Sequence, residues 1–348
     1  MTIEAIDLFC GVGGLTYGLA RAGIIVKLGI DVDPACEYAY TRNNNAKFLH
    51  KDVAELTGFE LAKKFTPGSI RLLAGCAPCQ PFSSLRHGED TSSDEKWSLL
   101  THFARLVTEL KPELVTMENV PGVSKYLPYT HFVRSLNKLG YRFETAVVNC
   151  ADYGLAQERK RFVLVASLLG EVGVPKGDKR KRKTVRQVIG KLPALGAGEV
   201  SETDYMHKAR ALSPLNLERV KHSKQGGNWL DWPEHLRLKC HKKSTGETFK
   251  SVYGRMRWDS SSPTVTTQAS NIGTGRFVHP EQHRAISLRE AAMLQSFPKT
   301  YRFSKTRDDC SFSTVGRLIG NAVPPALGKA IGKAFSEHVE VCDAGSRG

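Results

Sequence analysis

One cysteine stands in a segment that is suited to nucleophilic chemistry. The segment Pro78-Cys79-Gln80-Pro81 follows a short apolar run at Ile70–Ala74, which predicts a buried strand. Pro78 lacks an N–H group and has a fixed φ, so the chain before Cys79 is stiff and not helical. Because open α/β sheets place their chemistry at the carboxyl ends of strands, Cys79 is predicted to be a catalytic nucleophile.

Cys76 and Cys79 also form a C-x-x-C pair, a spacing that is typical of structural zinc sites and redox pairs. A structural zinc site needs two further ligands at similar spacing, but the other cysteines are scattered and form no second pair. A thioredoxin-like pair normally opens a helix, whereas Pro81 and the serines after it favour a loop. The segment therefore favours a nucleophile over a metal site or a redox pair.

A carboxylate and two arginines follow at positions where they could assist such a nucleophile. Glu118 comes directly after the predicted strand Leu114–Met117 and before a proline turn. Arg159 and Arg161 precede an apolar run, and they share one face if the chain is extended there. A surface turn is the alternative interpretation of Glu118, so its role depends on where the fold places it.

The N-terminal region has the pattern of a site for a nucleoside-containing cofactor. The predicted strand Ile3–Phe9 leads into the glycine-rich turn Cys10–Gly14, and a helix is predicted at Leu15–Ala22. This arrangement lets the backbone approach a ligand closely and points a helix N-terminus at it. Asp31 and Asp52 follow near the ends of the next two strands, where an acid can accept from ribose hydroxyls. The pattern does not distinguish NAD from S-adenosylmethionine.

Up to Ser167 the predicted elements alternate between strand and helix. Amphipathic helices are predicted at Trp97–Leu110 and Thr130–Leu139, and apolar strands at Ile24–Ile30 and Phe143–Asn149. This βαβα order predicts an α/β fold with a doubly wound, mainly parallel sheet. Further helices are predicted at Arg289–Gln295 and Ala326–Val339.

The charge is concentrated in the part of the chain that follows. The net charge is +15, and the window Pro175–Ser260 holds 20 Lys and Arg against nine Asp and Glu, an excess of 11. Such a window favours a polyanionic partner, although a solvated basic surface or linker is the alternative. Weak periodicity predicts a second, irregular domain, with an exposed loop at Gln225–Trp229 and strands at Tyr253–Asp259 and Pro263–Thr267.

Targeting signals and disulfides are not expected. Met1-Thr2-Ile3-Glu4 leads directly into a strand rather than a signal peptide, and no apolar run approaches the roughly 20 residues of a membrane span. Eight cysteines in such a chain predict reduced thiols and a cytoplasmic location.

Together these motifs resemble those of the cytosine-C5 methyltransferase family, over most of the chain. The signatures stand in the family's order: Asp7-Leu8-Phe9-x-Gly11-x-Gly13-Gly14, Pro78-Cys79-Gln80-Pro81-Phe82-Ser83, Glu118-Asn119-Val120, Gln157-x-Arg159-x-Arg161, Arg255 to Thr267, and Gly320-Asn321-x-Val323-Pro324. Two residues depart from the family pattern: Cys10, where alanine is usual, and Val32, where some members have an aromatic residue beside the adenine.

The resemblance implies a Rossmann-like enzyme that transfers a methyl group from S-adenosylmethionine, without a metal, to C5 of a flipped-out cytosine in a short duplex DNA sequence. A covalent bond between Cys79 and C6 of the base is part of that mechanism. The implied catalytic residues are Cys79, Glu118, Arg159 and Arg161. The implied cofactor residues are Phe9, Gly11, Gly13, Gly14, Leu15, Asp31, Val32, Asp52, Val53, Pro78, Leu99, Asn321 and Ala322. Candidates for DNA contact are Gln80, Ser83, Ser84, Gln225, Arg237, Lys239, Arg255 and Arg257.

The resemblance also implies the domain organisation and the partners. Residues 1–184 and 283–348 are predicted to form the catalytic domain, and residues 185–282 a smaller, basic target-recognition domain. Double-stranded DNA is the expected partner of a nucleoid-associated monomer, and a cognate restriction endonuclease is a candidate partner.

Three alternatives differ in substrate or chemistry. A tRNA methyltransferase of the same family usually carries a Cys-Phe-Thr element that is not found here. A nicotinamide dehydrogenase on the same sheet leaves Cys79 and Glu118 unexplained, and these two residues also argue against a catalytically silent DNA-binding relative.

Overall fold

The computed structural model describes residues 1–77, 96–243 and 249–345. The chain divides into two compact units. The first comprises Met1–Tyr153, Lys160–Asp178 and Ala322–Gly348, and the second comprises Gly154–Arg159 and Lys179–Asn321. These bounds differ from those of the predicted domains, because residues 154–159, 179–184 and 283–321 belong to the second unit. The functions of the two domains stay a prediction.

The described residues of the first unit contain a seven-stranded sheet with the order β3-β2-β1-β4-β5-β7-β6. Neighbouring strands from β3 to β5 are parallel, whereas β7 is antiparallel to both β5 and β6. The predicted α/β fold with a mainly parallel sheet is therefore confirmed. The strands are β1 (Ile3–Leu8), β2 (Ile25–Asp31), β3 (Lys47–His50), β4 (Ile70–Gly75), β5 (Leu114–Asn119), β6 (Arg142–Asn149) and β7 (Lys160–Ser167).

The antiparallel strand has a simple cause in the length of its connection. Parallel neighbours need a crossover of about a dozen residues or more, usually a helix. Only residues 150–159 join β6 to β7, and they contain no α-helix. The result places the start of β7 beside the carboxyl end of β5, with Asn119 paired to Phe162.

Helices cover the sheet. In the first unit these are α1 (Gly14–Ala20), α2 (Glu37–Asn43), α3 (Gly58–Ala62), α4 (Lys96–Leu110) and α5 (Leu127–Lys138). Both faces of the sheet are covered, because every residue of β1 and β5 is buried. Phe103 of α4 stacks on Phe132 of α5 at 5.2 Å within the main core.

A last helix, α10 (Pro325–Gly345), returns to the start of the chain and packs on α1. Gly18 of α1 and Gly328 of α10 allow this close approach. A Cβ at Gly18 would overlap the backbone at Pro325 and Lys329, and one at Gly328 would lie 3.0 Å from the carbonyl of Leu15. The helix predicted at Ala326–Val339 is confirmed, with its start one residue earlier and its end six residues later.

The second unit is built from short helices and loops, with α6 (Val185–Ile189), α7 (Pro214–His222), α8 (Leu288–Leu294) and α9 (Phe312–Asn321). Its described residues form isolated bridges, such as Arg255 with Val278, but no strand. The predicted strands at Tyr253–Asp259 and Pro263–Thr267 are therefore wrong. The backbone there bonds to scattered loops instead of one neighbouring strand, for example Met256 N to Val278 O at 3.0 Å.

Buried charges take the place of a sheet in organising the second unit. The Arg284 guanidinium forms two hydrogen bonds to the carboxylate of Glu290, at 2.7 and 2.8 Å, and both side chains are almost wholly buried. The same carboxylate caps α8 by accepting from Ser287 N at 2.6 Å. Arg284 lowers the pKa of Glu290 to about 2 against the opposing effect of burial. A single carboxylate thus joins a helix cap to a buried ion pair.

Trp229 and Trp232 belong to the interior of this unit, contrary to the exposed loop predicted at Gln225–Trp229. Both indoles are at most 2% exposed and pack with Leu236. The Trp232 indole N–H donates to Ser223 Oγ at 2.8 Å, and the Trp229 ring stacks on His241 at 4.3 Å. Apolar burial of the rings outweighed the polar turn residues around them. Within the described ranges, no helix combines the length and the apolar character needed to cross a membrane.

Candidate active site

The glycine-rich turn after β1 contains backbone conformations with positive φ, which glycine adopts without strain. Gly11 and Gly13 have φ angles of 52° and 85°, and Phe9 has a φ of 56° although it is not a glycine. A Cβ at Gly13 would overlap the side chains of Asn44 and Tyr40. Positive φ and the lack of space together require glycine at position 13. The turn leaves Phe9 half-exposed at the carboxyl end of β1.

Asp31, at the end of β2, fastens this turn. Its carboxylate accepts from Gly11 N at 2.8 Å and from Asp33 N at 2.9 Å. Burial raises the pKa of Asp31, while these backbone donors oppose the rise. Each carboxylate oxygen has a second lone pair, so Asp31 can still accept from a ligand hydroxyl. Val32 beside it is 62% exposed, which leaves an apolar surface next to the acid.

Asp7 begins the first family signature, but it was assigned no role among the predicted site residues. It lies in β1 and is 1% exposed, and its Oδ2 accepts from the Thr16 hydroxyl at 2.7 Å. The Thr16 hydroxyl also lies 3.1 Å from the Tyr40 hydroxyl. Oδ1 of Asp7 has no hydrogen-bond partner among the described residues, and burial raises the pKa of Asp7 to about 7. An acid between Ile6 and Leu8 in an apolar strand was the available signal.

The other predicted cofactor residues have various environments. Asp52 accepts from Ala54 N at 2.8 Å and begins a short turn, in which Val53 is buried. Gly14 and Leu15 are buried at the start of α1, and Leu99 is half-buried in α4. Ala322 is buried in the first unit, whereas Asn321 is exposed and belongs to the second unit.

A second cluster lies at the carboxyl ends of β4 and β5. Glu118 is 4% exposed, so the surface-turn interpretation of this residue is wrong. Its Oε1 lies 2.9 Å from Nε of Arg161 on β7, and its Oε2 accepts from the Cys76 thiol at 2.8 Å. The next residue, Asn119, is fully buried and donates from Nδ2 to the carbonyl of Ala77 at 3.2 Å. The cluster therefore holds a buried carboxylate beside the last described residues of the loop after β4.

Several of the predicted site residues come directly after the Cys76–Ala77 segment in the chain. Pro78, Cys79, Gln80, Ser83 and Ser84 lie outside the described residues. Cys79 follows Ala77 by two positions in the chain.

Arg159 has a different environment from Arg161. It is 2% exposed, and its guanidinium donates to the carbonyls of Val265 and Gly320, both at 3.0 Å. These acceptors belong to the second unit, as Arg159 itself does, while Arg161 belongs to the first unit. The strand β7 begins only at Lys160, and the two arginines have different partners. This geometry indicates a structural role for Arg159.

Arg255 does not fit its predicted role as a reader of DNA. It is 3% exposed, and its guanidinium donates to backbone carbonyls of Val220, Ser223, His279 and Gln282 at 2.7–3.0 Å. Burial lowers the pKa of Arg255 to about 10. The remaining N–H of the guanidinium faces Nδ1 of His283 at 3.2 Å, so all five donors have partners in the protein and none is left for a base edge.

Other candidates of the second unit are more accessible. Arg257 is exposed and makes no hydrogen bond or ion pair with another described residue, and a Cβ at Gly226 would overlap its guanidinium. Lys239 and Gln225 are exposed as well. Arg237 is half-buried and donates to the carbonyls of Trp232 and Leu230 at 3.3 and 3.0 Å. Among these arginines Arg257 is the one that an anionic ligand can reach.

Comparison with known proteins decides the family. The family description "C-5 cytosine-specific DNA methylase" matches residues 3–337. The chain belongs to this family. The DNA methylase is 48% identical over 345 residues to the Type II methylase M.HgiDII of Herpetosiphon aurantiacus, which covers 98% of this chain and 97% of the relative. It is 31% identical to the Type II methyltransferase M1.HphI of Haemophilus parahaemolyticus, over 96% of this chain and 87% of that relative.

Solved structures agree on the fold of the methylase. A prophage-encoded protein of E. coli, described as a DNA modification methyltransferase, has a TM-score of 0.72 at 23% identity, covering 97% of this chain and all of that one. The enzyme is thus a DNA cytosine-5-methyltransferase with relatives in Type II restriction–modification systems. The dehydrogenase alternative is wrong.

Proposed function

We propose that this methyltransferase uses S-adenosylmethionine to methylate C5 of a cytosine that is flipped out of a short duplex DNA sequence. The cluster of Glu118, Arg161 and the Cys76–Ala77 segment is the observation that supports this proposal most directly. A buried carboxylate at the carboxyl end of β5 is held 2.9 Å from a guanidinium and contacts Cys76, three residues before Cys79 in the chain. That is the donor and acceptor set that addition to a cytosine ring requires.

The chemistry follows from the poor nucleophilicity of cytosine C5. The Cys79 thiolate would add to C6, and the electron pair of the C5–C6 double bond would move onto C5. C5 would then take the methyl group from the sulfonium sulfur of the cofactor, whose S–CH₃ bond breaks to leave S-adenosylhomocysteine as the product. Glu118 faces the N3 edge of the ring and offsets, by donating a hydrogen bond, the negative charge that addition would place there. Arg161 holds Glu118, and its positive charge would favour the thiolate form of Cys79. Loss of the C5 proton to a base, with elimination of Cys79, restores the double bond.

The turn after β1 fits the proposed cofactor. The positive φ angles of Phe9, Gly11 and Gly13 turn the backbone at the carboxyl end of β1, where a ligand could approach it closely. Asp31 can still accept hydrogen bonds from ribose hydroxyls. The exposed Val32 gives an apolar surface for the adenine. S-adenosylmethionine supplies an electrophilic methyl group when it is bound, and these residues hold and orient it. No group of three or more His, Cys, Asp or Glu side chains suited to a metal occurs in the described part of the chain.

Double-stranded DNA is the proposed substrate, which would keep the enzyme with the nucleoid in the cytoplasm. C5 and C6 are out of reach in a stacked duplex, so the base must be extruded. The basic excess between Pro175 and Ser260 suits phosphate contacts, and we propose residues 185–282 as the target-recognition region. The Type II relatives favour DNA over tRNA and suggest a cognate endonuclease.

Covalent trapping on 5-fluorocytosine DNA tests this proposal. The fluorine at C5 cannot leave as a proton does, so the enzyme should remain bound through Cys79, and only in the presence of S-adenosylmethionine. Peptide mapping should find the adduct on Cys79, and Cys79→Ala should form none while it still binds the cofactor. An adduct on another residue, or trapping on tRNA in preference to duplex DNA, would contradict the mechanism or the substrate.

Bisulfite sequencing of DNA methylated by the purified enzyme tests the recognition region. A consensus of about four to six base pairs around one cytosine is expected, since a few bidentate contacts of about 1–3 kcal/mol each suffice to select it. Grafting residues 185–282 from a relative with another target should transfer the specificity. An active chimera that keeps the original site would place recognition elsewhere.

A further inference from the structure

Cys76 occupies a position that the proposed mechanism does not use. It follows β4 directly, is half-buried, and donates its S–H to Oε2 of Glu118 at 2.8 Å. Arg161 lies 2.9 Å from the other oxygen, Oε1. Both oxygens of this buried carboxylate therefore have a donor from the protein, one strong and charged and one weak and neutral.

The backbone around Cys76 is fixed on both sides. Cys76 N donates to the carbonyl of Leu8 at 3.4 Å, at the end of β1. The carbonyl of Ala77 accepts from Asn119 Nδ2 at 3.2 Å, at the end of β5. The residues Glu118 and Asn119 thus hold the Cys76–Ala77 segment by two hydrogen bonds. The Cα of Cys76 is thereby kept beside Glu118, so that only rotation about χ1 could turn the thiol away from the carboxylate.

The strengths of the two donors have different consequences. A carboxylate oxygen has two lone pairs, so Oε2 can accept the Cys76 S–H and still face a ligand. A thiol is a weak donor, so it can fix the direction of Oε2 while stabilising the charged carboxylate less than a second guanidinium would. A carboxyl group that must donate to the N3 edge has to gain a proton. A weak neutral donor on the oxygen that faces the ring is compatible with that need.

We propose that Cys76 is a positioning residue for Glu118, and that its S–H fixes the oxygen through which Glu118 meets the target base. The proposal rests on the proposed function, because it assigns Cys76 a role only through Glu118. It separates the two cysteines of the C-x-x-C pair, with Cys79 forming the bond to the base and Cys76 orienting the acid.

Single-turnover methylation of duplex DNA across pH tests the proposal with Cys76→Ala and Cys76→Ser. Cys76→Ala should lower the rate about three- to tenfold, the size expected for one weak hydrogen bond to a charged group. Its Kd for S-adenosylmethionine should change less than about twofold. The pH–rate profile should also differ from that of the wild-type enzyme, a change that a purely structural role of Cys76 would not produce. Cys76→Ser, whose hydroxyl can donate from the same place, should restore most of the rate.

Two further variants make the result decisive. Cys342→Ala changes a thiol in α10, away from the cluster, and should leave both rate and profile at the values of the wild-type enzyme. In a Glu118→Gln background, Cys76→Ala should add little, because coupled residues are not additive. Full additivity of the two changes would overturn the proposal.

The remaining outcomes are equally clear. Wild-type rates and profiles for both Cys76 variants, or a serine variant as slow as the alanine one, would overturn the positioning role. A fall in melting temperature without a change in rate would do the same, because it would show a purely structural residue. An active Glu118→Gln enzyme would instead refute the proposed function itself.

Discussion

The Nε atom of Arg161 lies 2.9 Å from Oε1 of Glu118, on the antiparallel strands β7 and β5. The side chains are 15% and 4% exposed, so water screens the pair little. Removing one partner of such a pair leaves a buried charge uncompensated, at a cost of about 3–5 kcal/mol. Because β7 runs antiparallel to β5, its first residues, including Arg161, lie beside the carboxyl end of β5.

Substitutions of Glu118 and Arg161 should separate the effect of their charges from the effect of their geometry on methyl transfer. Glu118→Gln keeps the size of the side chain but cannot be protonated to donate at N3, so methyl transfer should fall at least about a hundredfold. Arg161→Lys should keep part of the activity, because lysine supplies the charge without the planar fork. Rates under single-turnover conditions and cofactor Kd values check this. Nearly normal transfer by Glu118→Gln would refute its role.

Asp31 should control cofactor binding through the turn that it fastens. Asp31→Ala removes the acceptor for Gly11 N and Asp33 N. We therefore expect a higher Kd for S-adenosylmethionine, equivalent to a loss of about 1–3 kcal/mol in binding free energy. Asp31→Asn should rescue little, since its NH₂ group would face a backbone donor. Isothermal titration calorimetry measures both values. An unchanged Kd for the alanine variant would contradict the assignment.

Arg257 and Arg255 form a matched pair of variants in the second unit. Arg257→Ala removes an exposed cation without protein partners in the described structure, so it should weaken DNA binding and reduce the salt slope by about one without changing the melting temperature. Arg255→Ala leaves four buried carbonyls without their donor and should lower the melting temperature instead. Thermal unfolding and fluorescence anisotropy at two salt concentrations distinguish the two effects. Wild-type DNA binding by Arg257→Ala would exclude this arginine from the interface.

The stability of the second unit should fall in acid. Two of the pKa values that folding depresses in this unit belong to Glu290 and His279. Burial opposes the shift of Glu290, but Arg284 lowers its pKa from 4.5 to about 2, and burial lowers the pKa of His279 from 6.5 to about 4. The Glu290 contribution is therefore complete above pH 4.5 and is lost as the pH falls toward 2. Because the unfolded chain protonates His279 first, stability also falls between pH 6.5 and about 4.

Glu290→Gln isolates the carboxylate part of this effect. At pH 7 the variant should be less stable by about 3–5 kcal/mol, because Arg284 is left buried without its partner. The difference from the wild-type enzyme should shrink toward pH 3. Urea unfolding followed by tryptophan fluorescence is suitable, since Trp229, Trp232 and Trp258 all lie in the second unit. A difference that stays constant from pH 7 to pH 3 would contradict the linkage.

The sequence by itself was enough to predict the sheet of the first unit. Apolar strands and amphipathic helices alternate there, and local periodicity is enough to place elements whose faces must be buried. The glycine-rich turn after β1 and the acids at the ends of β2 and β5 lie at the carboxyl edge of the sheet, as expected from the edge at which parallel strands end. Family motifs then indicated the chemistry, and the match to residues 3–337 confirmed the family.

Tertiary structure decided which charged side chains are free to act. Arg255, Arg257 and Arg159 look alike in the sequence, yet carbonyl acceptors from distant loops bury the first and the last and leave Arg257 exposed. Trp229 was placed in the interior by the same long-range packing. The contact of Cys76 with Glu118 joins residues of two different strands, so no local pattern could reveal it. Residue type and spacing establish what a side chain can do, and only burial and partners from elsewhere in the chain establish whether it is available to do it.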